Sequence, residues 1–444
     1  MPDILIITNA QIVTCDKDHH VIASGALVVQ AGRICWVGLS DKLPASWRDG
    51  AHQLMDADGD IVMPGLINMH AHCGDSLFRG LVEDLPLEAW LNTVWKAEGA
   101  ILNDPANCHL GASLGFAELL LSGTTTVMDM FWHADQSFGA AREAGIRLAS
   151  GGIYFDPPGM DGLGSERRDQ MAARLFAEYG NDDACFVGTL PHGAYTVGPK
   201  ALVAAYGLAA ENDGFFSIHA AETRAEQETV RASYGKSVIR HLASLGILSK
   251  RMVLAHCVHV DDEEIDLIAK SGAHVVHNPL SNLKLGSGFS PVPKMLARGI
   301  NVTLGTDGPI SGNDMDMWLT MRLAATIHKG ALEDAAVMPT KQVLHMATLY
   351  GARALRAEQH LGSLEVGKRA DFIRVDMRGP HASPMFDPIT HLVYSAARSD
   401  VRDVFVAGRQ VVDEGVLLTL DVGDLCARST ALIPQITAAL KEAP

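Results

Sequence analysis

The chain has 444 residues, of which 48% are hydrophobic and 20% charged, with a formal net charge of -16 and a sequence pI near 5.6. That length supports a large core and that composition excludes a disordered chain, while the acidic balance argues against nucleic acid or an anionic membrane as partner, because phosphates would meet repulsion. Seven scattered cysteines without a Cys-x-x-Cys pair, an N-terminus without a basic-then-apolar leader and no apolar run of bilayer-spanning length predict a cytoplasmic protein with buried thiols.

In chain order, β-branched runs come first: Ile4-Leu5-Ile6-Ile7-Thr8, Gln11-Ile12-Val13-Thr14, Ala26 to Gln30 and Ile34 to Val37, divided by Asn9, Asp16 and Ala31-Gly32-Arg33. They predict short antiparallel strands. The same character returns in Ala370 to Val375, Val404 to Arg409 and Gln410 to Asp413. Strands split between the two ends of a chain assemble most simply into one small β-sandwich domain, with everything else inserted between its halves. The expected boundaries are 1–59 and 366–444 for the sandwich, the latter with a terminal helix, and 60–365 for the insert.

Within the insert, apolar strand-like runs alternate with helical patterns, the signature of a parallel sheet with crossover helices. Eight strands are expected: Leu66 to His70, Thr125 to Asp129, Arg147 to Tyr154, Cys185 to Pro191, Phe215 to His219, Met252 to His256, Ala273 to His277 and Asn301 to Thr306. Helical stretches such as Ala112 to Leu121, Leu202 to Glu211, Thr229 to Leu245 and Glu263 to Lys270 separate most of them. Eight units without a Gly-x-Gly-x-x-Gly fingerprint favour an α/β fold of the (β/α)8 TIM barrel kind over an open doubly wound sheet. The connection from Gly74 to Gly99, with Leu77, Phe78, Leu81, Leu85, Trp90 and Trp95, has the spacing of a helical segment over the barrel mouth, or of one packed on a neighbouring helix.

Sites in such barrels lie at the C-terminal strand ends, where this sequence puts His70, His72, Asp129, His192, His219, His256, His277 and Asp307. His70 and His72 are two apart, so on a strand they project together. With His219 and Asp307 they make a nitrogen and oxygen donor set that suits one divalent metal, Zn2+ first, with Fe2+ or Mn2+ also accepted. A second metal would ask for a bridging carboxylate or modified lysine, and Leu190-Pro191-His192 offers no lysine. Glu222, three residues past His219, returns over one helical turn and is placed to shuttle a proton. His256 is placed to polarise the attacked group.

Together, Pro64-Gly65-Leu66-Ile67-Asn68-Met69-His70-Ala71-His72, His219-x-x-Glu222, Leu254-Ala255-His256-Cys257-Val258-His259 and Gly305-Thr306-Asp307-Gly308 resemble the amidohydrolase superfamily, and within it the S-adenosylhomocysteine and methylthioadenosine deaminases and related chlorohydrolases. His277-Asn278-Pro279, Ser281 to Leu285 and Gly362 to Asp371 extend the resemblance over nearly the whole chain. It implies the barrel beside the small sandwich, one metal held by His70, His72, His219 and Asp307, and hydrolytic deamination of a heteroaromatic ring. Asp307 would take a proton from the attacking water and return it to departing ammonia, Glu222 would protonate a ring nitrogen, and His256 would contact the attacked centre. The resemblance further places Glu98, with one residue deleted after Trp90, at the ribose hydroxyls. It puts His192 and Ser311 on the substrate as well, gives the Trp90 loop a share of the pocket, and sets Arg167 near an amino-acid carboxylate. A second family arginine is replaced by Ser150-Gly151-Gly152-Ile153, which favours uncharged 5'-substituted adenosines over S-adenosylhomocysteine.

The leading expectation is therefore an aminohydrolase acting on a small heteroaromatic substrate such as 5'-methylthioadenosine, adenosine or 5'-deoxyadenosine, with room for a homo-oligomer. Two other readings stay open: a triazine-type chlorohydrolase or another guanine- or pterin-like deaminase, and a non-catalytic barrel used for binding or assembly. The Pro-Cys-x-x-Cys pattern of the cysteine-zinc deaminases is absent.

Overall fold

The computed structural model describes residues 4–49, 53–85 and 87–441. The first five strands, β1 (Ile4–Val13), β2 (Val21–Gln30), β3 (Arg33–Leu39), β4 (Gln53–Asp56) and β5 (Ile61–Pro64), precede eight more: β6 (Leu66–Ala71), β7 (Thr124–Asp129), β8 (Arg147–Tyr154), β9 (Cys185–Pro191), β10 (Phe215–Ala220), β11 (Met252–His256), β12 (His274–His277) and β13 (Val302–Leu304). Four others follow: β14 (Phe372–Val375), β15 (Val401–Val406), β16 (Arg409–Asp413) and β17 (Val416–Leu417).

Strands from both chain ends form one nine-stranded sheet in the order β17-β16-β15-β14-β5-β1-β2-β3, with β4 on β1. The sheet is mixed, because β4 and β5 run parallel to β1 while β2 runs antiparallel to it. The two runs expected on either side of Asn9 are one strand. Its register slips between Ile7 and Ala10, and Asn9 takes a left-handed φ of 54°. This bulge has a packing consequence, since strict alternation would turn Ala10 and Ile12 away from the face that Leu5 and Ile7 occupy. With it, Leu5, Ile7, Ala10 and Ile12 all join Leu27, Phe372 and Phe405 in one core, and Ile4 and Ile6 pack on the other face with Ala26 and Val28.

Strands β6 to β13 form a second sheet in sequence order. Its neighbours pair in parallel, as at Phe216–Met252 and Val275–Val302, and the Asp307 amide reaches the His70 carbonyl at 2.9 Å to bring the last strand to the first. The result is the nearly closed barrel expected from the eight apolar runs. Most of its strands are buried throughout, as parallel strands covered by helices must be. The helix expected over residues 229–245 is two helices, Arg224–Tyr234 and Val238–Ser244, because Gly235 ends the first in a left-handed cap at φ 68°.

The chain divides into two compact units, one of Met1–Asn68, Ala117–Thr126 and Asp316–Leu420, the other of Met69–Phe116, Val127–Met315 and Asp421–Pro444. The terminal helix, grouped with the sandwich in the sequence reading, belongs to the second unit, where Ile433–Lys441 packs on helix Leu87–Ile101 and Gln435 donates to the Ala100 carbonyl at 2.8 Å. Among the described residues no helix is long and apolar enough to cross a membrane.

Candidate active site

Every residue of the candidate site lies in the second unit. His70 lies near the end of β6 with His72 just beyond it, His219 lies near the end of β10, and Asp307 follows β13. The His72 and His219 Nε2 atoms stand 3.3 Å apart, and Asp307 Oδ1 lies 3.3 Å from His72 Nε2 and 3.6 Å from His70 Nε2.

Two carbonyls fix how these rings are protonated. His72 Nδ1 donates to the Met130 carbonyl at 2.6 Å and His219 Nδ1 to the His192 carbonyl at 2.7 Å. A carbonyl only accepts, so each Nδ1 carries a proton, and in the neutral rings each Nε2 would turn a lone pair toward the other. Lone pairs converging at this distance beside a carboxylate call for a cation. The electrostatics agree: burial and neighbouring imidazoles push His70 and His219 well below the usual histidine range. Burial disfavours charge on His72 as well, but the Asp307 carboxylate bonded to it lifts it to about 10, so a cation held here would take the place of the proton on His72 Nε2. Burial alone would raise Asp307, yet His72 and His70 hold it well below the usual carboxylate range. The donor chemistry therefore fits a divalent ion: His70, His72 and His219 converge as one group that could hold it, and His70, His256 and Asp307 as another. Asp307 Oδ2 accepts from Ser281 at 2.6 Å and its Oδ1 from the Gly308 amide at 2.7 Å, which fixes the carboxylate plane.

Beside this set, Glu222 Oε2 lies 3.8 Å from His256 Nε2, and burial raises the Glu222 pKa. His256 Nδ1 bonds the Asn282 side-chain oxygen at 2.8 Å, leaving Nε2 without a hydrogen-bond partner among the described residues. Three strand ends here carry backbone strain: Ala221 (φ 55°), His256 (φ 73°) and Asp307 (φ 66°) are all left-handed without being glycine. Glu226 stabilises the first of these turns, accepting the Glu222 amide at 2.6 Å while Thr223 caps the helix onto the Glu226 amide at 3.1 Å. Burial lifts the Glu226 carboxyl to about 8.

The cavity over these groups is walled by Trp90, Leu91, Val94 and Trp95 of helix Leu87–Ile101, so the segment after the first barrel strand is helical and does cover the mouth. Glu98, on the same helix, accepts from Trp132 Nε1 at 3.3 Å and lines the cavity, as do His192 and Ser311. His192 is held by Thr196 at 2.9 Å, and burial drops it to about 3, so its ring is neutral. The Ser311 hydroxyl donates to the Gly308 carbonyl at 2.9 Å.

Arg167 is not brought to the site. It sits exposed on helix Ser165–Tyr179 with its guanidinium on the Gly162 carbonyl at 3.0 Å, outside the cavity lining. The buried arginine is its neighbour Arg168, which is spent on Asp161 at 2.5 Å and lies over the Trp132 ring at 5.7 Å. Helical phase decides between two adjacent arginines, and local sequence does not reveal it. Asp129, a polar strand end, turns to scaffolding, accepting from the Cys73 amide at 2.7 Å and the Ser137 hydroxyl at 2.8 Å. Sequence reasoning missed Asp75, Trp132 and Phe131. Only Asp75 carried a signal, as an acidic residue in the first turn after the His-x-His pair. The turn is tight: a Cβ on Gly74 would fall 1.9 Å from the Phe131 ring.

A model of the amidohydrolase family matches residues 61–411. The chain is 40% identical over 425 residues to a 5-methylthioadenosine/S-adenosylhomocysteine deaminase of Syntrophobacter fumaroxidans, covering 96% of each chain. Among solved structures it is similar to an adenosine deaminase from Xanthomonas campestris with bound zinc, at 32% identity and a TM-score of 0.94, covering 98% of this chain and 99% of that one. It is also similar to an atrazine chlorohydrolase from Arthrobacter aurescens complexed with zinc, at 26% identity and a TM-score of 0.89, covering 97% of this chain and 100% of that one.

Proposed function

Because the chain belongs to the amidohydrolase family, we propose that it is a metal-dependent aminohydrolase that deaminates the adenine ring of an uncharged nucleoside such as 5'-methylthioadenosine, adenosine or 5'-deoxyadenosine. The observation that carries this reading is the raised, buried Glu222 carboxyl set against His256 and the four-residue donor set, under a cavity with aromatic walls. His70, His72, His219 and Asp307 would hold one divalent ion, with zinc the first choice for three imidazoles and a carboxylate. When bound, such an ion supplies the positive charge that makes water nucleophilic near neutral pH.

The chain's own residues do the rest. Glu222, whose pKa burial raises, gives its proton to a ring nitrogen and makes the adjacent carbon electrophilic. Asp307 takes one proton from the attacking water and passes it to the amino group, which leaves as ammonia; the remaining hydroxyl proton returns to Glu222. His256 Nε2, without a partner of its own, faces the attacked centre. Helix Leu87–Ile101 excludes water from that centre. The seven free cysteines accord with a reducing, cytoplasmic location.

The test is ammonia release from purified, zinc-loaded protein against a panel of adenine nucleosides. Release from at least one supports the reading, and release from none overturns it. A triazine-type hydrolase is the second reading, favoured by the likeness to the chlorohydrolase. Turnover of a chlorotriazine that exceeds that of every nucleoside would establish it instead.

A further inference from the structure

One segment touches three of the groups that carry the chemistry. It leaves β12 as helix Pro279–Lys284 and runs on through a loop to Ser290. Ser281 donates to Asp307 Oδ2 at 2.6 Å, and the Asn282 side-chain oxygen holds His256 Nδ1 at 2.8 Å. The third contact has no part in the mechanism above: the hydroxyl of Ser287, a residue buried at 6% exposure, donates to Glu222 Oε1 at 3.4 Å. The bond is long, as bonds to reacting groups often are before substrate binds.

The loop does not need that hydroxyl to keep its shape. The Ser287 carbonyl accepts from His259 Nε2 at 2.9 Å, the Ser290 hydroxyl donates to the Cys257 carbonyl at 3.0 Å, and the Gly288 amide returns to the Asn282 carbonyl at 3.2 Å. Gly288 makes this return at φ 119°, a conformation that other residues rarely adopt. Backbone groups and Ser290 therefore anchor the loop, and the Ser287 side chain is free to act on Glu222. Glu226 already fixes the Glu222 backbone through its amide at 2.6 Å, but rotation of the Glu222 carboxyl stays open without a contact at its tip. An oxygen that accepts a hydrogen bond is the poorer place for the carboxyl's own proton. With Ser287 on Oε1, the other oxygen, Oε2, is the one set 3.8 Å from His256 Nε2.

Resting on the reading of Glu222 as proton donor, we infer that Ser287 is a positioning residue for the reaction: held by an independently anchored loop, its hydroxyl fixes Glu222 by Oε1, so that Oε2 delivers the proton to the ring nitrogen. The same short segment then orients Asp307, His256 and Glu222 together, through Ser281, Asn282 and Ser287.

The test is steady-state kinetics of zinc-loaded S287A and S287T on a nucleoside that the wild type turns over, with S287A repeated in an E222A background. S287A should lose about tenfold in kcat with KM little changed, because orientation is lost and binding is not. S287T keeps the hydroxyl and should recover most of that loss. With no carboxyl to orient in E222A, S287A should cost nothing further. A loss of equal size in that background, a loss confined to KM, or an S287T as slow as S287A would overturn the assignment; S287C, a weak donor of similar size, replaces S287A if that variant does not fold. Should the wild type release no ammonia from any nucleoside, the functional reading fails by itself. The contact is then decided by infrared difference spectra against E222Q, which isolate the Glu222 carboxyl band. S287A must shift that band, and an unmoved band overturns the Ser287 assignment too.

Discussion

His70, His72, His219, His256 and Asp307 stand on the ends of barrel strands, whereas Asp75, Trp90, Val94 and Glu98 reach the same cavity from the turn and helix that follow the first strand. The strand-end group is over-determined. His72, His219, His256 and Asp307 each have a fixed partner behind them, in the Met130 and His192 carbonyls, Asn282 and Ser281, and the turns at Ala221, His256 and Asp307 are left-handed. The loop-borne group has fewer such partners, with unpartnered atoms at Asp75 Oδ1 and Trp90 Nε1, whereas the unpartnered His256 Nε2 of the strand-end group belongs to a ring held from behind by Asn282. Reaction chemistry needs fixed geometry, while selectivity needs groups whose bonds are completed by the ligand.

Substitutions should separate the two groups. The largest effect is expected for Asp307→Asn, which removes an anionic donor and the acceptor of water's proton: turnover should fall by at least ~10^4 on every substrate, with less zinc retained by elemental analysis. Full turnover in that variant would break the mechanism. Glu222→Gln should cost about 10^2–10^4 in kcat with KM little changed. Because Glu222 acts protonated and burial raises its pKa, wild-type kcat should fall as pH rises through that raised value, and the fall should be missing from the residual rate of the Gln variant. Glu98→Ala should cost roughly 10–100-fold on ribosylated substrates and much less on a free base or triazine. Equal losses on all would make the loop group part of the chemistry.

The smallest effect tests the support of the strand-end group. Glu226 is raised to about 8 from an ordinary carboxyl value of 4.5, so between those values the folded chain binds a proton that the unfolded chain has released. Its stabilising contribution is complete below the unfolded value and is lost as pH rises toward 8, with a slope of at most about 1.4 kcal/mol per pH unit. Chemical denaturation of Glu226→Gln across this window should show a shallower decline than the wild type. An unchanged slope would show that Glu226 is ionised throughout.

Much of this was legible in the residues. The eight barrel runs matched observed strands to within one or two residues because parallel strands buried on both faces need continuous apolar sequence, and β6 to β13 supply it. The strand-end residues that meet in the cavity were legible for a related reason, although Asp129 shows that a polar group ending an apolar strand can serve as scaffolding instead. Arg167 and Asp75 show the limit. One was expected at the substrate and points to solvent, and the other went unremarked and lines the cavity. Both sit on elements joined to the barrel by turns, where one residue of phase moves a side chain by about 100°.

The sequence by itself determined the barrel and the sheet shared by the chain's two ends, because periodicity and strand position are local properties of the chain. Tertiary structure decided that Glu222 meets His256, that Asp75 and Glu98 line one cavity, and that Arg168 rather than Arg167 turns inward to Asp161. Those pairings join residues across separate elements, and only packing sets the distance between them.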